Sequence, residues 1–92
     1  MSDEHILVVD DDSRLLRLLQ RYLSENGYRV STAPDALTAR EVLQRIQPDA
    51  LVLDVTMPGE DGLSLTNSLR RDGLSLPILL LTARGAPADR IG

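Results

Sequence analysis

Short apolar runs alternate along the chain with longer segments in which apolar residues recur every three or four positions. The short runs have the length of β-strands, and the longer spacing is typical of helices with one buried face. This alternation predicts an α/β fold with a parallel sheet. Because Ile6–Val9 is apolar at every position, the first strand is expected to be covered on both faces.

The pattern predicts four strands, three helices and the start of a fourth helix. The predicted strands are Ile6–Val9, Tyr28–Thr32, Asp49–Asp54 and Ile78–Leu81. Gly27 and Pro48 are placed to end the first two helices, and the third helix is expected to end near Gly73. Pro87 suits the first position of the fourth helix.

A polar residue stands at the expected start of each of the first three helices, where it can accept a hydrogen bond from a free backbone N–H group. The predicted caps are Ser13, Asp35 and Asp61. The first helix also has a stripe of large apolar residues at helical spacing, and its leucines are assigned to the core. This stripe consists of Leu15, Leu18, Leu19, Tyr22 and Leu23.

Length and composition limit the classes of protein that fit. The 92 residues suit one domain, 1–92, with an aliphatic core, since Phe and Trp are absent. The lack of cysteine excludes disulfides and thiolate zinc sites. No apolar run reaches the roughly 20 residues of a membrane span, and Met1–His5 lacks the basic start of a signal peptide, so a cytoplasmic protein is expected. The net charge of −4 disfavours direct contact with nucleic acid.

Polar residues follow three of the predicted strands. Asp10 and Asp11 end the first strand, Asp54 ends the third, and Thr82 follows the fourth. Because parallel strands place their carboxyl ends at one edge of the sheet, these groups are expected to share one crevice. Clustered carboxylates repel one another unless a cation joins them. Oxygen ligands of this kind suit Mg2+, which combines one or two carboxylates with water, carbonyl and phosphate oxygens.

Each of these residues also has a simpler interpretation. A single Asp after a strand is usually a helix cap or a solvated turn residue, and Asp12, beside Ser13, is assigned to that class. Asp54 alone fits a turn carboxylate, and Thr82 alone fits a loop cap. The combination of the acidic pair with Asp54 and Thr82 favours a functional site.

Three segments carry a resemblance to a known family. "ILVVDDD", "LVLDVTMPGEDG" and "PILLLTAR", in this order and at these spacings, resemble the receiver domain of bacterial two-component response regulators. The resemblance covers essentially the whole chain. It implies a flavodoxin-like, doubly wound parallel sheet in which the four strands lie in the order 2-1-3-4.

The resemblance also implies a role for each candidate residue. Asp54 accepts a phosphoryl group from a partner histidine kinase, a reaction for which a carboxylate is a competent nucleophile. Asp11 binds Mg2+ directly, Asp10 assists largely through water, and the backbone carbonyl of Thr56 is a further ligand. The Thr82 hydroxyl contacts a phosphoryl oxygen and reports phosphorylation by moving.

The sequence departs from the family pattern at its end. A complete receiver has a fifth strand with an aromatic switch residue, a lysine after that strand, and a fifth helix. This sequence ends before them and contains no lysine, which predicts a truncated receiver with impaired phosphorylation. Without a fifth strand, Ile78–Leu81 is expected to form an open apolar edge that supports self-association. The segment "LTARGAPADRI" resembles receivers joined to winged-helix transcription factors.

Three hypotheses for function follow. The first is a phosphoacceptor signalling domain that is not itself an enzyme. The second is a phosphatase or phosphotransferase with an aspartyl nucleophile, similar to haloacid dehalogenase relatives. Thr56 argues against it, because the general acid of that class stands two positions after the nucleophile. The third is a phosphorylation-independent interaction or dimerisation module with a vestigial pocket.

Overall fold

The computed structural model describes residues 4–81. This part of the chain contains the strands β1 (His5–Val9), β2 (Arg29–Ala33), β3 (Ala50–Asp54) and β4 (Ile78–Leu81). Its helices are α1 (Ser13–Glu25), α2 (Ala36–Leu43) and α3 (Gly62–Arg71). The predicted helix start at Pro87 lies outside the described residues.

The strands form one parallel sheet in the order β2-β1-β3-β4, which confirms the predicted topology. Val9 of β1 pairs with Ala33 on one side and with Leu53 on the other, so the three strands end level with one another. Right-handed crossovers in this order place α1 on one face of the sheet and α2 with α3 on the other.

The main core lies between the sheet and the pair α2 and α3. It is entirely aliphatic apart from Met57, as the composition predicts. Its buried members are Leu7, Val9, Ala33, Ala36, Ala39, Leu51, Leu53, Met57, Leu65 and Leu69. Val8 points to the opposite face, because side chains alternate along a strand, and it is fully buried there. β1 is therefore covered on both faces, as expected from its continuous apolar sequence.

Helix α1 differs from the prediction in two respects. Its N-cap is Asp12 and not Ser13: Asp12 Oδ1 accepts hydrogen bonds from the N–H groups of Arg14 and Leu15. Ser13 is already the first helical residue. Asp12 thus has the structural role assigned to it, although one position earlier than the predicted cap.

The apolar stripe of α1 is also narrower than predicted. Leu16 is the buried residue of this helix, whereas Leu18 and Tyr22 are each 63% exposed. At about 100° per residue, Leu18 lies on the flank of a stripe that runs along Leu16 and Leu19. The assignment of Leu18 to the core was therefore wrong.

The starts of α2 and α3 follow local signals, whereas α2 ends at Leu43, earlier than the end expected from Pro48. Asp35 and Asp61 cap α2 and α3 by accepting hydrogen bonds from the backbone N–H groups of Thr38 and Ser64, as predicted. Gly27 follows the end of α1 with φ +95°, a conformation that glycine adopts without steric cost. Among residues 4–81, no helix has the length and apolar character needed to cross a membrane.

Candidate functional site

An open crevice lies at the carboxyl edge of the sheet. Four of the predicted site residues meet there: Asp10, Asp11, Asp54 and Thr56. The complete lining is Asp10, Asp11, Asp12, Leu15, Asp54, Thr56, Met57 and Pro58. The structure thus brings together the carboxylates that the sequence places after two different strands.

One carboxylate oxygen from each of Asp10, Asp11 and Asp54 lies within 4.8 Å of the other two. The strand register explains this proximity, because β1 and β3 are neighbours and pair up to Val9 and Leu53. Asp10 is only 3% exposed and Asp54 only 4%, whereas Asp11 is exposed to solvent. The cluster therefore has two buried carboxylates and one at the mouth of the crevice.

Each buried carboxylate accepts one backbone hydrogen bond from a residue two positions later. The N–H of Asp12 donates to Asp10 Oδ1 at 2.9 Å, and the N–H of Thr56 donates to Asp54 Oδ1 at 3.1 Å. Within residues 4–81, neither carboxylate forms an ion pair with an arginine or histidine. These hydrogen bonds orient the carboxylates but supply no full positive charge.

The electrostatics of Asp10 reflect this shortage of positive charge. Burial raises the pKa of Asp10 above its ordinary value, and the hydrogen bond from the Asp12 N–H only partly opposes that rise. The negative charges of Asp54, Asp11 and Asp12 raise the pKa further. A divalent cation would relieve this repulsion, and carboxylate oxygens are the donors that Mg2+ prefers. The residues present therefore fit a Mg2+ site.

The segment 55–61, here called the β3–α3 loop, is held close to the end of β3. The N–H of Gly62 donates to the carbonyl of Val55 at 3.0 Å, and the Met57 side chain is buried in the core. A Cβ on Gly62 would lie 2.3 Å from the backbone oxygen of Asp54. Only glycine therefore permits the start of α3 to approach β3 this closely.

Thr82, the remaining predicted site residue, lies outside the described residues. The described part of β4 ends next to the site, because Leu81 pairs with Asp54 and its carbonyl accepts a hydrogen bond from Val55 at 2.8 Å. No described residue tests the site role predicted for Thr82. That role stays a prediction.

Comparison with known proteins agrees with this geometry. A family model described as the response regulator receiver domain matches residues 6–92. The chain belongs to the response regulator receiver domain family. The interpretation reached from "ILVVDDD", "LVLDVTMPGEDG" and "PILLLTAR" is thereby confirmed at the level of the family.

Curated relatives are full-length proteins of which this receiver domain spans a part. The chain is 52% identical over 90 residues to Protein PetR of Rhodobacter capsulatus, covering 98% of this chain and 38% of the relative. It is 51% identical over 86 residues to the response regulator MprA of Mycobacterium leprae, covering 94% of this chain and 38% of that protein. The chain thus spans a little over a third of the length of these relatives.

Solved structures share the fold. The response regulator TrrA of Thermotoga maritima, in complex with Mg2+-BeF, matches with a TM-score of 0.83 and 34% identity over 92% of this chain and 74% of that one. The chemotaxis protein CheY4 of Vibrio cholerae matches with a TM-score of 0.86 and 30% identity over 94% of this chain and 73% of that one. The flavodoxin-like fold is therefore established for this receiver domain.

One ion pair near the site was not predicted from the sequence. Arg40 of α2 makes a two-point contact with the carboxylate of Glu60 in the β3–α3 loop, and it also donates a hydrogen bond to Ser68 of α3. The partners are 20 residues apart in sequence and follow no local spacing rule. Glu60 stands within the quoted segment "TMPGEDG", but nothing in that segment identifies its partner.

Proposed function

We propose that this receiver domain is a phosphoacceptor in which Asp54 receives a phosphoryl group from a histidine kinase. Mg2+ is held by Asp11, Asp54 and the carbonyl of Thr56, with Asp10 assisting through water. The observation that carries this proposal is the carboxylate cluster, in which three groups lie within 4.8 Å and two are buried without a cationic partner in the described part of the chain.

The proposed reaction is a displacement at phosphorus. A carboxylate oxygen of Asp54 forms the new P–O bond while the P–N bond of a phosphohistidine breaks, and the released imidazole keeps the electron pair and takes up a proton. The N–H of Thr56 holds one oxygen of Asp54, which fixes the orientation of the carboxylate. Mg2+ held by Asp11, Asp54 and the carbonyl of Thr56 would neutralise charge on the transferring phosphoryl oxygens.

The incoming group reaches Asp54 through the open crevice, whose mouth is formed partly by exposed Asp11. In this proposal, Thr82 contacts a phosphoryl oxygen and reports phosphorylation. The 92 residues contain no lysine, so a cationic side chain of that type is missing from the chain as it stands. We therefore expect slow phosphorylation of these residues alone, and faster phosphorylation of a longer chain that supplies the lysine.

The biological role that fits this chemistry is signalling. Residues 1–92 act as the receiver part of a longer regulator, and the output is exerted by other parts of that protein, such as a domain that regulates transcription. The acyl phosphate adds charge and hydrogen-bond acceptors at the β3–α3 loop, which shifts the balance between two arrangements of the surrounding elements. The domain carries the phosphoryl group and does not turn over a substrate as an enzyme does.

A second candidate function is an interaction or dimerisation module. β4 pairs only with β3 among the described strands, and Leu79 on this strand is 59% exposed. A strand that is paired along only one edge and has an exposed apolar residue is a template for association with a second copy. Sedimentation velocity at several concentrations tests this candidate, and a monomer at every concentration would contradict it.

Intact mass spectrometry distinguishes these candidates. The chain is incubated with acetyl phosphate and Mg2+, alongside Asp54→Asn and the control Asp49→Asn, which alters an exposed carboxylate at the opposite end of β3. We expect addition of one phosphoryl group, slow in this chain, that Asp54→Asn abolishes and Asp49→Asn leaves unchanged.

The other outcomes contradict the proposal in separate ways. Continuous release of inorganic phosphate without a labelled protein would indicate a phosphatase. No labelling, even of a longer chain that supplies a lysine, would favour the module with a vestigial pocket. Equal labelling rates for the short and the longer chain would show that the lysine is unnecessary.

A further inference from the structure

Arg40 and Glu60 connect helix α2 to the loop beside the carboxylate cluster. Both terminal nitrogens of the Arg40 guanidinium contact the Glu60 carboxylate, and Nη2 lies 2.9 Å from Glu60 Oε2. The same Nη2 donates to Ser68 Oγ at 3.0 Å. One side chain of α2 therefore holds the β3–α3 loop and α3 at the same time.

Arginine is suited to this task, because its planar guanidinium matches a carboxylate at two points and fixes its orientation. The Arg40 and Glu60 side chains are 34% and 26% exposed, so the pair is partly shielded from water. The hydrogen bond from Arg40 lowers the pKa of Glu60 and, reciprocally, raises the pKa of Arg40. Asp72 is a further negative charge near Arg40.

The β3–α3 loop is attached at each end but has few attachments between them. At its start, the N–H of Thr56 donates to Asp54, and at its end, Asp61 caps α3. Met57 is buried, whereas Gly59 adopts φ +79°. In the second half of the loop, the Glu60 carboxylate contacts Arg40 of α2 and also has a hydrogen bond with Ser64 of α3. We expect loss of the Arg40 contact to loosen residues 58–60, which lie between buried Met57 and the helix cap Asp61.

We propose that Arg40 is a positioning residue that holds the β3–α3 loop in the conformation in which the Thr56 carbonyl faces the metal site. This inference rests on the proposed function, since it assumes that Mg2+ binds at the carboxylate cluster with Thr56 as a ligand. Arg40 contacts neither Mg2+ nor the phosphoryl group in this arrangement. It raises the fraction of molecules whose loop is already arranged for binding.

The charge of Arg40 allows this role to be separated from simple electrostatics. Removing a positive charge from the protein strengthens, or leaves unchanged, its attraction for Mg2+. Loosening the loop weakens Mg2+ binding, because the apparent dissociation constant rises as the competent fraction falls. Simple electrostatics therefore predicts equal or tighter Mg2+ binding when the charge of Arg40 is removed, whereas the positioning role predicts weaker binding.

The experiment is a Mg2+ titration of the full chain followed by the backbone amide shifts of Asp11 and Thr56. Arg40→Met keeps the side-chain length but removes the charge and the donors. The matched control is Arg45→Met, which removes an exposed arginine just after α2. We expect Arg40→Met to weaken Mg2+ binding about three- to tenfold, and Arg45→Met to leave it unchanged or slightly tighter.

Two further measurements separate positioning from a general loss of stability. Amide hydrogen exchange in residues 56–60 is expected to accelerate in Arg40→Met while exchange in β1 stays the same. The exchanged pair Arg40→Glu with Glu60→Arg is expected to recover part of the lost affinity, because it restores an ion pair between the same positions. Arg40→Lys, which keeps the charge but not the two-point contact, is expected to lie between wild type and Arg40→Met.

The possible failures are distinguishable. If wild type shows no saturable response to Mg2+, the proposed function is wrong, and the role of Arg40 fails with it. If wild type binds Mg2+ and Arg40→Met binds as well as Arg45→Met, the proposed function stands and the positioning role is wrong. Unchanged exchange in the loop would also overturn the positioning role.

Discussion

The interior of this receiver domain has two buried regions that differ in what burial does to stability. In the core under α2 and α3, Leu51, Leu53 and Leu65 are fully enclosed by apolar side chains. In the crevice, Asp10 and Asp54 are almost as deeply buried, but their neighbours include other carboxylates. The same strands supply both regions, since Asp10 follows β1 directly and Asp54 ends β3.

The difference shows that the aliphatic core stabilises the domain enough to hold a group of mutually repelling carboxylates. Burying an aliphatic side chain stabilises a fold by about 1.5–3 kcal/mol. Burying a carboxylate beside other carboxylates acts against folding until a cation arrives. Because β1 and β3 are fixed by the core, their terminal carboxylates are held together despite their repulsion. A metal ion that bound there would relieve that residual repulsion.

The largest effect is expected in the core. Leu65→Ala removes a fully buried side chain of α3 and is expected to lower the free energy of unfolding by about 2–5 kcal/mol. The matched control is Leu63→Ala in the same helix, because Leu63 is 52% exposed and should change stability by about 0.5 kcal/mol or less. Urea unfolding measures both. Equal losses in the two variants would show that α3 is not anchored as described.

The second-largest loss of stability is expected at Gly62, where the start of α3 packs against the end of β3 beside the crevice. Gly62→Ala places a methyl group 2.3 Å from the backbone oxygen of Asp54 and 3.0 Å from the Cα of Val55, closer than van der Waals contact allows. We expect a loss of about 1–3 kcal/mol in stability, together with weaker Mg2+ binding because the end of β3 shifts. Asn67→Ala, at an exposed position of the same helix, is the control for helix composition. A Gly62 variant with unchanged Mg2+ affinity would show that the two regions are independent.

A substitution that removes a buried charge from the crevice should raise the free energy of unfolding, whereas the substitutions above lower it. Asp10→Asn keeps the acceptor for the Asp12 N–H but removes a buried charge, so it is expected to raise stability in metal-free buffer at neutral pH by about 0.5–2 kcal/mol. Affinity for Mg2+ is expected to fall in the same variant. A variant that is less stable than wild type without metal would contradict the proposed cost of the cluster.

The pH dependence of stability tests whether the gain from Asp10→Asn comes from the charge of Asp10. The pKa of Asp10 is raised in the native state above its ordinary value of 3.8. Between these two values the native state binds more protons than the unfolded state, so the contribution of Asp10 to stability decreases as pH rises through this window. The advantage of Asp10→Asn should therefore be present at neutral pH, decrease once pH falls below the native pKa of Asp10, and be absent below the ordinary pKa of 3.8.

The smallest effect on stability is expected at the edge of the sheet. Leu79 is 59% exposed, so Leu79→Lys should change the free energy of unfolding by about 0.5 kcal/mol or less. The same change should weaken any self-association through β4, which sedimentation velocity measures. Leu80→Lys is the contrast, because Leu80 packs against the core and its replacement should unfold the domain. Similar behaviour of the two variants would mean that the faces of β4 are wrongly assigned.

Much of the fold and of the site was predictable because it depends on residues close together in the chain. The β-branched and leucine runs specified the strands, and the caps at Asp35 and Asp61 followed from their own short segments. The strand order came from the family resemblance. Asp10, Asp11 and Asp54 were identified because the carboxyl ends of parallel strands share one edge of the sheet. That rule needs only the order of the elements.

Other features depended on packing between distant segments. Either Asp12 or Ser13 can cap a helix, and the exact path of the chain out of β1 selected Asp12. The stripe of α1 contained more leucines than the sheet covers, so only the rotation of the helix decided that Leu18 is exposed. The close approach of Gly62 to Asp54 likewise depends on how α3 packs after the crossover.

The sequence by itself therefore determined the alternation of strands and helices and the acidic cluster at the ends of β1 and β3. Only the tertiary structure decided which carboxylates are buried and that Arg40 reaches Glu60. The physical reason is range: periodicity and caps are set by neighbouring residues, whereas burial and ion pairs between α2 and the β3–α3 loop depend on where each crossover places its helix.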